Sequence, residues 1–158
     1  MIDDIALARA LHVLAIVHWI GGLAFVTLIV LPLARSRPNA DEAFALFDGI
    51  ERRFSRQLRF TIPLAGAAGL WMTWRMQLWD RFLDAHFWWM GAMLGLWIFF
   101  MLMLFVVEPV LHDRVGAGSR RDHLGVFRKM IALHAALLAL AALTILGAVA
   151  GAYGVLFF

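Results

Sequence analysis

The sequence predicts an all-α integral membrane protein, a four-helix up-and-down bundle that forms a single domain over residues 1–158. Hydrophobic residues make up 63% of the chain and the mean hydropathy is +0.82, an apolar share far above that of a soluble domain. The charged residues, 16% of the total, gather between the apolar runs. Several of these runs reach the length of roughly 20 residues that a helix needs to cross a bilayer.

The first predicted helix, about residues 5–31, holds an apolar run long enough to cross a bilayer. Pro32 marks its end, because a proline disfavours helical geometry in the residue before it. Gly21 and Gly22 would let another helix approach closely. Asp3 and Asp4 stand where a signal peptide has basic residues, so we expect this helix to remain in the mature protein.

The next predicted element is an amphipathic helix over about residues 41–58, where apolar residues recur at helical spacing between charged ones. It lies at the membrane interface or leads into the second span, and a solvated helical face under the bundle is the alternative. The second span, about residues 59–77, has a short apolar stretch. Arg59 and Arg75 at its ends can extend toward the membrane surfaces, which lengthens it enough to cross.

The third and fourth spans, about residues 86–107 and 127–156, are long apolar runs. Basic residues are concentrated in the connection between spans one and two and in the connection between spans three and four. By the positive-inside rule these two connections are cytoplasmic. Both termini are therefore predicted on the outer, periplasmic side of a bacterial-type inner (plasma) membrane.

The composition excludes several classes of function. The net charge of +3 comes from arginines that flank the spans, so it does not indicate nucleic-acid binding. The chain has no cysteine, which excludes disulfides, cysteine-ligated zinc, iron–sulfur clusters and c-type haem attachment. No sequence motif of hydrolytic enzymes occurs either.

Histidines carry the functional prediction. Of the six in the chain, His112 and His123 fall in polar connections. The other four fall within the apolar spans or at their ends: His12, His18, His86 and His134. A polar ring at membrane depth is costly unless something binds it. Hydrogen bonds between helices would satisfy such rings, and this simpler interpretation stays open beside a cofactor site.

Depth along the helices groups these histidines into two pairs. Counted at a rise of about 1.5 Å per residue, His18 and His134 fall near mid-membrane, and His12 and His86 fall near the outer edge. Two imidazoles on different helices at one depth are what axial ligation of b-type haem requires. Trp19 is a further candidate for cofactor binding, because it shares a helical face with His12.

Methionines of the third span offer an alternative. Met90 and Met93 lie at helical spacing, and thioether ligands suit Cu(I). Together with His12 and His86 they would form a copper site near the outer surface. Methionine is also an ordinary residue of apolar cores.

The segment RALHVLAIVHWIGGLAF, from Arg9 to Phe25, resembles the first helix of two related groups of small membrane proteins. These are the HemJ type of protoporphyrinogen oxidase and the CopD-like family, named for copper resistance. Both have an ALH motif followed by an aromatic residue and glycine, here His18-Trp19-Ile20-Gly21-Gly22. The resemblance continues through residues 47–54 to the region of Pro63 and Gly69, and it covers roughly the first half of the chain.

The resemblance implies a haem b-binding membrane core in which His12 matches the first-helix histidine of the HemJ type. Two elements of that type are missing. Trp89 is present without the lysine that follows it, and Phe127-Arg128 is not followed by an Asn-Glu-x-Pro element. The resemblance therefore implies haem binding more than it implies porphyrinogen oxidation. His134 could replace the lost haem ligand. The CopD-like pattern fits more loosely and adds little mechanism.

From the residues and the resemblance together we expect a haem b-binding redox protein. It would pass electrons between a membrane donor, quinol or porphyrinogen, and a partner. The alternatives are a copper-binding or transport protein of the CopD type and a non-catalytic structural subunit of the membrane. The expected partners are the lipid bilayer, a quinone or porphyrin, and further copies of the same chain.

Overall fold

The structure is a computed structural model, and all the regular elements in the residues that it describes are helical. These are residues 3–37, 39–108 and 123–155, without the side chains of residues 40, 41, 44 and 123–128. In chain order the helices are α1 (Asp4–Phe25), α2 (Leu31–Arg35), α3 (Ala40–Arg75), α4 (Trp88–Leu102) and α5 (His123–Ala152), with π turns at Val26–Val30 and Met103–Val107 and 3-10 turns at Trp79–Phe82 and Ala85–Phe87.

Helix α1 continues through the first π turn into α2, which makes one apolar rod from Asp4 to Arg35. The Asp3 carboxylate caps its start by accepting a hydrogen bond from the amide of Ile5 at 3.0 Å, which satisfies one of the free amides there. Pro32 lies in the first turn of α2, a position where a helix tolerates proline. The rod therefore extends past the predicted end at residue 31.

Helix α3 is one continuous element, whereas the sequence predicted an amphipathic segment over residues 41–58 and a separate span over residues 59–77. It runs unbroken from Ala40 to Arg75 and includes Pro63. Pro63 has no amide N–H to donate to the carbonyl one turn earlier, but the helix continues on both sides of it. The reason for this continuity is the packing of α3 against its neighbour α1.

Contacts between α1 and α3 follow a regular antiparallel register. At one end Arg75 Nε donates to the Asp4 carboxylate at 2.7 Å. Further along, the ring of His12 is 2.7 Å from the carbonyl of Ala65 and the ring of His18 is 2.9 Å from Gln57. The contacts advance along α1 as they step back along α3. The two helices therefore lie side by side over nearly their whole length.

Two buried clusters hold the helices together. The first joins α1, α3 and the second π turn through the buried residues Trp19, Leu58, Ile62 and Leu104. Trp97 and Phe100 pack against it. The second joins the α1–α2 rod and α3 through the buried residues Val26, Val30, Leu31 and Phe47, and Met130 and Ile131 of α5 pack against it.

Helix α5 packs on α4 through glycines that receive indole rings. A Cβ added at Gly147 would lie 2.6 Å from the ring of Trp88, and one added at Gly151 would lie 2.2 Å from the ring of Trp89. Trp89 is buried as a result. These two glycines of α5 therefore let α4 and α5 approach closely.

Three of the helices are long and apolar enough to cross a membrane: Asp4–Arg35, Ala85–Val107 and Lys129–Ala152. Many of their large apolar side chains stay exposed, among them Leu14, Leu28, Leu102 and Leu146. Exposed leucines in this number are expected where lipid rather than water surrounds the protein. The predicted helical membrane class is confirmed to this extent.

A glycine exchange tests the packing of α3 on α4. Gly66→Ala would place a Cβ 2.2 Å from the Trp97 ring and displace the indole whose Nε1 donates to the Ile62 carbonyl at 2.9 Å. We expect a loss of about 1–3 kcal/mol in stability from overpacking, measured by thermal unfolding in detergent. Gly21→Ala is the matched control, because a Cβ there meets nothing within 4 Å. Equal melting temperatures for both variants would contradict this packing.

Candidate functional site

The four histidines of the predicted cofactor set lie in four separate environments. His86 sits in the 3-10 turn before α4, where its Nδ1 is 2.7 Å from the carboxylate of Asp84. Hydrogen bonds from the His86 amide and then from its ring hold the pKa of Asp84 below its usual range. Both side chains are exposed. His86 is thus part of a surface pair in a turn.

His18 uses its accessible nitrogen to bind α3. Its Nε2 donates to Oε1 of Gln57 at 2.9 Å, and its ring packs against Phe54 with centroids 5.8 Å apart. Its Nδ1 is enclosed and has no hydrogen-bond partner in the described part of the chain. An enclosed lone pair cannot reach a metal, so His18 serves here to join two helices.

His134 bonds within its own helix. The carbonyl of Met130, one turn earlier in α5, accepts a hydrogen bond from its Nδ1 at 3.0 Å. The ring also stands edge-on to Phe47, with centroids 6.0 Å apart. This places His134 against the cluster of Val30 and Leu31.

His12 is the histidine that α3 anchors most directly. Because a carbonyl can only accept, the 2.7 Å contact between its Nδ1 and the Ala65 carbonyl fixes the proton on Nδ1. A Cβ on Gly69 would lie 3.0 Å from Cε1 of the ring, so this glycine lets the imidazole lie against the α3 backbone. Nε2 has no bond among the described residues and is not enclosed as His18 Nδ1 is.

The structure does not bring the predicted histidine pairs together. His12 contacts α3, whereas His86 contacts Asp84 in the turn outside it. His134 lies by Val30, twelve residues beyond His18, which is about 18 Å along a helix. The depth count from sequence was sensitive to where each helix begins. Each of these histidines instead has its own nearby partner.

The remaining predicted ligands do not form a cluster in the described residues. Trp19 is a core residue, 5% exposed, with its ring edge-on to Phe100 at 4.9 Å. Met90 and Met93 are half-buried on α4. No group of three or more histidine, cysteine, aspartate or glutamate side chains that could hold a metal occurs among the residues described. His112 lies outside the described residues, and so does the side chain of His123.

An acidic cluster joins the N-terminal part of α3 to Glu108, at the end of the second π turn, and sequence spacing gave no sign of it. Ser55 Oγ donates to the Glu108 carboxylate at 2.6 Å, and Arg59 lies 3.5 Å from it. Glu51 is exposed along part of its side chain. The protein packed around its carboxyl, followed by repulsion from Glu108 and Asp48, raises its pKa to about 7. Glu51 can therefore exchange a proton near neutral pH.

In comparisons with known proteins, no family model, no curated protein and no solved structure matches the chain.

The pKa of Glu51 predicts a pH-dependent stability. Since the folded-state pKa lies above its ordinary value of 4.5, the contribution of Glu51 is fully favourable below pH 4.5 and is lost as the pH rises through about 7. We expect Glu51→Gln to remove this part of the fall in melting temperature between pH 5 and 8. Glu42→Gln is the matched control, because it makes the same change of charge on the same helix. A wild-type slope in Glu51→Gln would contradict the assignment.

Proposed function

We propose that the chain is a membrane-embedded haem b-binding redox protein, with His12 as the iron ligand contributed by α1. The observation that supports this most is the anchored imidazole: Nδ1 of His12 donates to the Ala65 carbonyl and Nε2 remains without a partner among the described residues. Histidines that bind metals commonly donate the other ring N–H to a carbonyl, which fixes the tautomer and the ring orientation. Bound haem would supply one-electron chemistry at its iron.

The residues around His12 would allow its imidazole to hold a haem iron. Ala65 and Gly69 present only small groups beneath the ring, so α3 holds the imidazole without covering Nε2. His134 has a similar nitrogen pattern, but its anchor is the carbonyl of Met130 in its own helix. In the described residues no second imidazole faces His12. The proposal is therefore a haem with one histidine from this chain, and the electron donor is a quinol or a porphyrinogen.

We further propose that the C-terminal part of α3 is the predicted second span, over about residues 59–77, and that both termini lie outside in a bacterial-type inner membrane. A helix that lies antiparallel along a spanning helix over nearly its whole length also crosses the membrane. The contacts from Asp4–Arg75 to His18–Gln57 support this arrangement. Arginines on the inner half of α3 then satisfy the positive-inside rule. Self-association of the bundle remains a prediction.

Cysteine labelling tests whether α3 crosses the membrane. The chain has no cysteine, so Ser36→Cys and Leu83→Cys each provide one thiol without background. If α3 crosses, a membrane-impermeant maleimide applied to intact cells stripped of their outer wall labels residue 83 and not residue 36. Disruption of the cells should then expose residue 36. Labelling of both residues from the same side would show that α3 does not cross.

Absorption spectra test the haem proposal. Protein purified in mild detergent should show a Soret band, and its haem content should fall about tenfold or more in His12→Ala, since even loss of an outer-sphere partner weakens metal sites by about 10–100-fold. His18→Ala is the control, because His18 Nε2 is bound to Gln57; haem content should change little. A single imidazole ligand predicts a high-spin spectrum.

Four outcomes would count against this proposal. A colourless preparation, even with haem supplied during expression, would exclude haem. Copper in metal analysis without a Soret band would favour the copper alternative. Equal loss of haem in both variants would mean that His12 has no special role. A colourless, metal-free protein whose histidine variants all keep their function would indicate a structural subunit.

A further inference from the structure

A groove of about 210 Å³ lies between α1 and α3 at their arginine-rich end. Its walls include Phe25 and Val26 from the first helical rod and Ile50, Arg53 and Gln57 from α3. Gly22 shapes its floor, because the Phe54 ring occupies the space that a Cβ on Gly22 would fill, at 2.0 Å. The groove thus combines apolar walls with a cation and an amide.

Arg53 is the cation of the groove, and it makes no ion pair or hydrogen bond with the described residues. Its neighbours differ in this respect, since Arg52 pairs with Asp48 and Arg59 lies 3.5 Å from Glu108. Its side chain is exposed. A guanidinium presents planar N–H donors that suit a phosphate or a carboxylate. Arg53 can therefore bind an anionic ligand of this kind.

Gln57 adds oriented donors beside Arg53. Its Oε1 accepts the hydrogen bond from His18 Nε2 at 2.9 Å, which directs the amide N–H groups away from His18. These N–H groups have no partner in the part of the chain that the structure describes. His18 is therefore a positioning residue for Gln57, and the groove offers donors from two side chains one helical turn apart.

The apolar side of the groove continues along a stretch that faces outward in a predicted span. Phe25 is 51% exposed, and Val17 and Leu14, about two and three helical turns from it in the direction away from the arginine-rich end, are 64% and 65% exposed. All three lie within the span Asp4–Arg35. An unneutralised arginine next to such a surface is costly in a membrane unless an anion accompanies it. A ligand with an anionic head and a hydrocarbon chain satisfies both features at once.

We propose that this groove binds one anionic phospholipid from the leaflet at the arginine-rich end of the bundle. The phosphate lies at the Arg53 guanidinium and the Gln57 amide, and an acyl chain lies along Phe25 and Val17, toward the middle of the membrane. A neutral quinone lacks the charge that Arg53 requires, and a free phosphate lacks the chain that the apolar wall requires. Basic pockets between membrane helices bind acidic lipid headgroups by the same physics.

Lipid titration followed by native mass spectrometry of the full chain in detergent tests this site. Phosphatidylglycerol should bind more tightly than phosphatidylcholine, and Arg53→Gln should weaken phosphatidylglycerol binding about tenfold, the loss of one charged hydrogen-bonded contact. Arg56→Gln is the matched control, since Arg56 is exposed on the same helix and does not line the groove. It should change the affinity less than about twofold, because a surface charge in salt contributes little.

A second variant separates a lipid from a free anion. Phe25→Ala, at an exposed position, should weaken phosphatidylglycerol binding while the protein keeps its melting temperature. Glycerol phosphate should bind wild type far more weakly than phosphatidylglycerol. Glycerol phosphate binding as tight as the lipid, equal effects of Arg53→Gln and Arg56→Gln, or phosphatidylcholine binding that matches phosphatidylglycerol would each overturn the proposal.

Discussion

The close antiparallel contact between α1 and α3 is the constraint on which the rest of the molecule depends. Apolar helix surfaces gain little by leaving lipid, so helices in a membrane associate through close packing and hydrogen bonds. This contact supplies both. Gly22 and Gly69 leave room for the rings of Phe54 and His12, and His12 and His18 bond across to α3. The anchored imidazole and the proposed lipid groove both lie along it.

The histidines show how the same side chain takes different roles at different positions on one contact. His18 faces a glutamine, so its accessible nitrogen is used within the protein and the other is enclosed. His12 faces a backbone carbonyl through Nδ1, which leaves Nε2 as the lone pair that could bind a metal. His134 bonds its own helix. The difference lies in what α3 or α5 presents to each ring, and this makes His12 the best candidate for a ligand.

Helix α3 has two halves with different surroundings, and this explains why the chain combines charge with an apolar composition. Its C-terminal part meets Trp97 and α1 through Ile62, Ala65 and Gly66. Its N-terminal part carries Glu51 and several arginines, of which Arg52 pairs with Asp48 and Arg59 lies 3.5 Å from Glu108. At the boundary between these two parts of α3, the neighbouring surface of α1 is still apolar. Polar and hydrocarbon surfaces therefore lie side by side, which is the arrangement that an amphiphile fits.

Composition and apolar run length by themselves determined the helical membrane class, because lipid forces every backbone group into local hydrogen bonds. Three of the four predicted spans are helices long and apolar enough to cross. The sequence also singled out His12 and His18 as polar rings that needed partners. The partners lay beyond sequence reasoning, since Ala65 and Gln57 are 53 and 39 residues away from them and carry no motif. Likewise the sequence predicted two elements over residues 41–77, whereas the structure has the single helix α3. Only the tertiary structure decided which nitrogen of each histidine is free, because that depends on the register of two helices to within a fraction of a turn.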